Sequence, residues 1–317
     1  DAALEEAIEI AERVLAIREE HQGNAFGLVR WRDAGRAQRE WWELADARRT
    51  VEHLRVLRGL GAGSRADLAS LLGTNEDGRR LFMERRFAEA QAIVDRQIEL
   101  RRRTLGDEHP STLESINNMG VLLSVQGKLA EAEPYYREAL EARRRNLGDE
   151  HPSTLTSISL LGGLIQRQGK FGEAEPYHRE ALEGRRRVLG DEHPHTLSSI
   201  SVLGGLLFEQ GKLGEAEPYC RVALEGRRRV LGDEHPGTLS SVNSVGLLLQ
   251  WQGKLAEAEP YVRETLETRR RTLGDEHPST LASISNMGSL LSKQGKLAEA
   301  EPYYREALET RRRVLGD

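Results

Sequence analysis

Histidine recurs at one fixed place in this sequence, and a cluster of histidines could bind a metal ion. Five of the nine histidines stand in the string Glu-His-Pro, at intervals of 42 residues. Zn²⁺ needs several ligands at about 2 Å, whereas neighbouring packed helices lie roughly 10 Å apart. We therefore predict no metal site and a structural role in loops for these side chains. They are His109, His151, His193, His235 and His277.

Two other patterns could serve catalysis or phosphate binding. Cys220, the only cysteine, occupies a place where the other 42-residue units carry Tyr, His or Val, which favours a packed apolar role. The Gly-Lys that follows Gln in each unit lacks the Ser or Thr of a phosphate-binding loop. Gly59, Gly61 and Gly63 follow no predicted strand. We predict no cofactor and no enzymatic activity.

Composition and charge argue against several classes of protein. Acidic residues outnumber Lys and Arg by 51 to 46, a net charge of −5, whereas nucleic-acid-binding domains are usually basic. No run of about 18 apolar residues predicts a membrane span, and the first residues lack the apolar stretch of a signal peptide. A single cysteine is compatible with a reducing compartment. We expect a cytoplasmic protein without a membrane or nucleic-acid partner.

The elements that position these residues follow the same 42-residue period. Five prolines open a predicted first helix, and five more fall near the start of a predicted second helix. The first pair is predicted over 110–126 and 129–146, because Gly127 and Gly148 suit helix ends and apolar residues recur every three or four positions. Fixed periods of this length are typical of solenoids. The string Leu-Gly-Asp-Glu-His-Pro begins at Leu105, Leu147, Leu189, Leu231 and Leu273.

The unit resembles the tetratricopeptide repeat, and its length and turn sequences are similar to the kinesin light chain type of that family. The resemblance implies an all-α, right-handed superhelical solenoid of antiparallel helix pairs, in which first helices line a concave groove that binds extended peptides. It is strong from Leu105 to Asp317 and partial from Leu4 to Thr104. The residues that carry it are Ile116, Met119, Gly120, Leu123, Gly127, Ala132, Tyr136 and Ala139.

We expect one continuous solenoid in two parts. Residues 1–104 form divergent repeats and residues 105–317 form near-identical ones, with the earliest second helices beginning near Leu4 and Leu44. The Gly-rich segment 58–64 is predicted to be a loop that interrupts the series. Since solenoids normally end in polar caps, we expect the chain to be a piece of a longer protein.

Side chains at the positions expected to face the groove differ from unit to unit. Asn residues there are implied by the resemblance to hold a peptide backbone, while Phe208 and Trp251 on neighbouring first helices could hold an apolar side chain. Ordinary partial packing of the two aromatic residues is an equally good interpretation. The candidate residues downstream of residue 104 are Asn117, Asn118, Val121, Arg167, Phe208, Asn243, Trp251, Asn286 and Lys293.

Basic residues upstream extend this set. Arg32, Arg36 and Arg39 are spaced by four and three, which places them on one helix face. Arg79 and Phe82 fall on the same predicted surface one unit later. A surface of one charge sign attracts the opposite sign, although a solvated outer face is an equally good interpretation. The triple Arg that ends each second helix is predicted to form helix-end and inter-repeat ion pairs.

These patterns predict a non-enzymatic scaffold whose groove binds an extended, acidic peptide with an apolar anchor. Two alternatives stay open. The chain could be the regulatory arm of a larger effector, such as a protease, kinase or NTPase with its catalytic domain elsewhere. It could also be an architectural repeat that associates with itself.

Overall fold

The computed structural model of the protein describes residues 8–14, 16, 55–56, 58–71 and 74–315. The second helices predicted near Leu4 and Leu44 begin outside these residues, and Arg32, Arg36 and Arg39 lie outside them altogether. The chain divides into two compact units, unit 1 (residues 1–190) and unit 2 (residues 191–317).

Helices make up nearly all of the described chain, and it contains no strand. The prediction of an all-α fold is confirmed. The interruption predicted at 58–64 is shorter than expected, because Arg58 and Gly59 are helical and a new helix begins at Ala62. From Ala62 onward, the helices of unit 1 are α1 (Ala62–Ala69), α2 (Thr74–Met83), α3 (Phe87–Leu105), α4 (Pro110–Val125), α5 (Leu129–Leu147), α6 (Pro152–Arg167) and α7 (Phe171–Leu189). In unit 2 they are α8 (Pro194–Glu209), α9 (Leu213–Leu231), α10 (Pro236–Trp251), α11 (Leu255–Leu273), α12 (Pro278–Lys293) and α13 (Leu297–Leu315).

Within each unit the helices pack in sequential pairs. First helices α4 and α6 pack against second helices α5 and α7 in unit 1, and α8, α10 and α12 pack against α9, α11 and α13 in unit 2. Each second helix also packs against the next first helix of its own unit. Apolar residues at three- and four-residue spacing are buried between them, such as Ile116, Met119 and Leu123 of α4. The predicted solenoid of helix pairs is therefore present in both units.

The recurrent histidines begin the first helices. His109 precedes Pro110, and its Nδ1 accepts a hydrogen bond from the backbone N–H of Ser111 at 3.1 Å. The same contact recurs at His151, His193, His235 and His277. Since the first N–H groups of a helix lack partners within the helix, the imidazole satisfies one of them. The predicted structural role of these histidines is confirmed.

Small residues allow the two helices of a repeat to approach each other. A Cβ atom added to Gly120 of α4 would lie 3.0 Å from the Tyr136 ring of α5, and Ala132 of α5 is fully buried. Gly127, between the two helices, has φ of 80°, a backbone conformation that glycine adopts readily. The tight turn and the small residues together allow α4 and α5 to pack closely.

Candidate functional site

A pocket of about 310 Å³ opens in unit 1 between α2, α3 and α4. Four of the predicted site residues line it, namely Arg79 and Phe82 of α2 and Asn118 and Val121 of α4. Phe82 makes an edge-to-face contact with Phe87, with ring centroids 6.0 Å apart. Arg79 and Phe82 precede Asn118 and Val121 by at least 36 residues in the sequence. The structure brings the two pairs together around one pocket.

A buried side-chain amide forms the base of this pocket. Gln97 of α3 is 2% exposed. Its Nε2 donates hydrogen bonds to Thr74 Oγ1 at 2.8 Å and to Asn75 Oδ1 at 2.9 Å. Arg79 and Glu114, two exposed residues of opposite charge, also line the pocket. The pocket therefore has a fixed polar floor and walls of mixed charge.

Arg167 and Asn117 are predicted site residues of unit 1 that do not line this pocket. Arg167, at the end of α6, donates hydrogen bonds from Nη1 to Ser124 Oγ and from Nη2 to the Ser124 carbonyl at 2.9 Å. Part of its donor capacity is therefore used in joining α6 to α4. Asn117 is half-buried, and its Oδ1 is buried without a hydrogen bond within the described residues.

Unit 2 carries an aromatic cluster on three successive first helices. Trp251 of α10 is 65% exposed. It makes an edge-to-face contact with Phe208 of α8, with ring centroids 5.9 Å apart at 87°. Lys293 of α12 places its Nζ 5.6 Å from the Trp251 ring centroid, within range of a cation–π interaction. We call these three side chains the aromatic ledge.

The size of Phe208 is matched to a smaller residue on the second helix of its repeat. In unit 1 the same two positions hold Ser124 and Tyr136, and then Gln166 and His178, which hydrogen bond at 3.0 Å. In the repeat of α8 and α9 the pair is Phe208 and Cys220. Since Cys is much smaller than Tyr, a larger side chain is accommodated on the first helix.

The two predicted Asn residues of unit 2 contact each other. Asn286 Nδ2 of α12 donates a hydrogen bond to Asn243 Oδ1 of α10 at 3.2 Å. This contact joins neighbouring first helices and orients both amides. Each amide retains donor or acceptor capacity beyond this one bond.

The triple Arg at the end of each second helix has three different roles. The second Arg bridges the following loop and the next second helix, as Arg228 does with Asp233 and Glu264. The third Arg pairs with the Glu of the preceding loop, as Arg271 does with Glu234 at 2.7 Å. These contacts confirm the predicted inter-repeat ion pairs for these two positions.

The first Arg of the triple has a role that sequence reasoning missed. Arg227 of α9 points between two first helices, and its Nη1 donates to Ser241 Oγ at 2.7 Å, to Gly237 O at 3.2 Å and to Ser201 Oγ at 3.3 Å. Burial lowers the pKa of this guanidinium. Equivalent bonds from Nη1 to a carbonyl and a Ser hydroxyl are made by Arg101, Arg143 and Arg269. The recurrent Ser at the position of Ser241 was the available signal.

Comparison with known proteins identifies the architecture. A family model described as tetratricopeptide repeat matches residues 81–145, 115–164, 153–219 and 238–313, which is more than half of the chain. The chain belongs to the tetratricopeptide repeat family. Proteins with this repeat are generally non-catalytic scaffolds for protein interactions. No curated protein sequence gives a match.

Solved structures with tetratricopeptide-like repeats share this fold. The nearly identical repeats of a candidate kinesin light chain of Podosopora anserina are 25% identical, with a TM-score of 0.59 over 66% of this chain and 100% of that one. BtubC (BKLC) from P. vanneervenii is 24% identical, with a TM-score of 0.64 over 73% and 93%. RapI in its apo form is 14% identical, with a TM-score of 0.56 over 78% and 100%. The predicted kinesin light chain-like type is confirmed.

The free thiol of Cys220 is buried within the described repeats. Burial, followed by the charge of Glu217, raises the pKa of the Cys220 thiol to about 11, so that the thiolate is disfavoured at neutral pH. No cluster of three potential metal ligands occurs among the residues that the structure describes. No helix in those same ranges has the length and apolarity needed to cross a bilayer.

Proposed function

We propose that this chain binds an extended acidic peptide along its first helices, with an apolar side chain of the peptide seated on the aromatic ledge. The exposure of Trp251 carries the proposal, because a large aromatic side chain in solvent is more typical of interaction surfaces than of a free surface. Its contacts with Phe208 and Lys293 hold the ring in place, which reduces the entropy lost on binding.

Charge complementarity favours an acidic peptide. Lys293 is part of the ledge, and Arg79 lines the pocket in unit 1 together with the acidic Glu114. In this proposal Asn243 and Asn286 hydrogen bond to the backbone of a peptide on unit 2, and Asn117 and Asn118 do so for a peptide segment on unit 1. Arg167 contributes mainly through its link to Ser124. The single buried cysteine is compatible with the proposed cytoplasmic location.

A defined probe tests this function. The probe is a fluorescent twelve-residue peptide in which a central Leu is flanked on both sides by Glu-Gly repeats, and a second probe carries Gln in place of every Glu. We expect the Glu probe to bind and the Gln probe to bind more weakly. Affinity for the Glu probe should fall with added salt, because exposed charges are screened over about 10 Å at 0.1 M.

Trp251→Ala should weaken binding of the Glu probe at least tenfold, since truncating an anchoring aromatic typically costs about 2 kcal/mol. Leu297→Ala is the matched control, because Leu297 is equally exposed, at 66%, but lies at the start of second helix α13. The proposal fails if the Glu probe does not bind the parent, or if both variants bind like the parent.

A further inference from the structure

The pocket of unit 1 opens in the repeat of α2 and α3, at a place where the next repeat is closely packed. In the repeat of α4 and α5 the Tyr136 ring lies against Gly120, and a Cβ atom added to Gly120 would be 3.0 Å from it. The same two positions 42 residues earlier hold Val94 and Gly78. A Cβ atom added to Gly78 would lie 3.7 Å from Ile93, and Val94 is not within 4 Å of it. The helices α2 and α3 therefore leave a gap at the position that the Tyr136 ring fills in the next repeat.

A valine at this position does not open a gap in unit 2. Val262 of α11 takes the place of Val94 in its own repeat. A Cβ atom added to Gly246 of α10 would lie 3.2 Å from Val262 Cγ2. Gly246 is buried, whereas Gly78 is half-buried. The gap in unit 1 therefore arises from a looser contact between α2 and α3, and the small side chain alone does not account for it.

Polar side chains at the base of the pocket replace apolar ones. Gln97 uses both hydrogens of its Nε2 in the bonds to Thr74 and Asn75. In the next repeat the positions of Gln97 and Thr74 hold Ala139 and Ile116, which are fully buried. Oε1 is the atom of the Gln97 amide that can accept a hydrogen bond from a ligand. The base of the pocket therefore favours a ligand that carries one hydrogen-bond donor.

The size and the apolar lining of the pocket suit one aromatic ring. The volume of about 310 Å³ lies at the lower end of the range for small-molecule sites, about 300–1,000 Å³. A dry apolar cavity of about 150 Å³ already accommodates benzene. Aromatic rings pack favourably against each other in edge-to-face or offset contacts, and Phe82 offers such a partner. The apolar side chains that line the pocket are Phe82, Ala90, Val94, Val121 and Leu122.

We propose that this pocket binds a free small molecule with one aromatic ring and one hydroxyl group, that is, a simple phenol. The ring occupies the gap between Gly78 and Val94, and the hydroxyl group donates a hydrogen bond to Gln97 Oε1. Val94 is 8% exposed and Gln97 is 2% exposed, so the site lies below the surface of the helices. The proposal is independent of the proposed function, because the aromatic ledge belongs to unit 2.

The test uses p-cresol, which has the ring and the hydroxyl group of a tyrosine side chain. Val94→Tyr should fill the gap as Tyr136 does in the next repeat. It should therefore raise the melting temperature and reduce the affinity for p-cresol, measured by titration calorimetry, by roughly tenfold or more. The matched control is Val262→Tyr, because the close contact with Gly246 leaves no space for a ring. Val262→Tyr should lower the melting temperature by overpacking and bind p-cresol within about threefold of the parent.

A second variant keeps the test valid if Val94→Tyr does not fold. Gly78→Leu fills the same gap from α2 and should also reduce the affinity for p-cresol by roughly tenfold or more. The proposal is overturned if the parent does not bind p-cresol, or if either folded variant binds it like the parent. A lower melting temperature for Val94→Tyr, equal to that of Val262→Tyr, would show that there is no gap and would also overturn it.

Two further arms separate this site from other sources of binding. Trp251→Ala should bind p-cresol like the parent, and a loss of binding in that variant would place the site on the aromatic ledge and overturn the proposal. N-acetyl-tyrosine amide presents the same ring on a peptide unit, and it should bind more weakly than p-cresol. Tighter binding of N-acetyl-tyrosine amide would mean that the pocket takes a peptide side chain, which overturns the assignment to a free small molecule.

Discussion

Helices α4 and α10 are the same element of the repeat, 126 residues apart, and they differ in charge at one position near the half-buried arginines. In α4 the negative charge of Glu114 opposes the lowering of the pKa of Arg101 and of Arg143 by burial. In α10 the exposed Ser240 leaves Arg227 and Arg269 with uncharged acceptors. The two helices differ at several positions, and the change from Glu114 to Ser240 is the one that alters their charge.

This difference shows that near-identical repeats can differ in surface charge while keeping the same contacts between repeats. The inter-repeat contacts are kept in both regions, since each first Arg of the triple still binds the next first helix. This position is free to change, because Glu114 and Ser240 are both exposed and neither supports the core.

The largest effect is expected from removing one half-buried guanidinium in each region. Arg143→Met and Arg269→Met should each destabilise their repeat by about 2 kcal/mol, because hydrogen bonds from a charged donor are lost. Arg143→Met should cost about 0.5–1 kcal/mol more, since it also removes a favourable partner of Glu114. Urea unfolding, with hydrogen exchange to locate the affected repeat, measures both.

The control for this comparison is the Glu114→Ser background, which gives α4 the residue of α10. There the two Arg→Met substitutions should cost the same within about 0.5 kcal/mol, as expected when the coupling has been removed. Unequal costs that persist in this background would mean that the two regions differ for a reason other than Glu114.

A smaller effect is expected from acid, and only in unit 1. His178 is 3% exposed and hydrogen bonds to Gln166, while Val262 holds the equivalent place in unit 2. Burial, followed by the positive charge of Arg185, lowers the pKa of His178 to about 4. The unfolded chain, with a His pKa of about 6.5, then binds more protons than the folded one between these values.

The stability linked to His178 is therefore present above about pH 6.5 and is lost as the pH falls towards about 4, by about 1–2 kcal/mol at pH 5. His178→Val should reduce the fall in unfolding free energy between pH 8 and pH 5 by that amount, and the reciprocal Val262→His should increase it. Identical pH profiles for the parent and both variants would contradict the assigned burial of this imidazole.

The repeat pattern was sufficient to predict the helices, because prolines, glycines and apolar spacing specify the same helix boundaries in each 42-residue repeat. Ion pairs of the second and third Arg were also predictable, since opposite charges recur at fixed spacing. The roles of Arg227 and Arg167 were not, because each depends on which groups of a neighbouring helix lie within hydrogen-bonding distance. The pairing of Asn243 with Asn286 likewise arises only when two first helices are packed side by side.

Photo-crosslinking tests the central claim most directly. The Glu probe is synthesised with a benzophenone amino acid in place of its central Leu, irradiated with the parent protein, and the linked residues are mapped by mass spectrometry. We predict crosslinks on α8, α10 and α12 close to Phe208 and Trp251, which an excess of the unmodified Glu probe should abolish. Crosslinks confined to second helices α9, α11 and α13 would contradict a binding surface formed by the first helices.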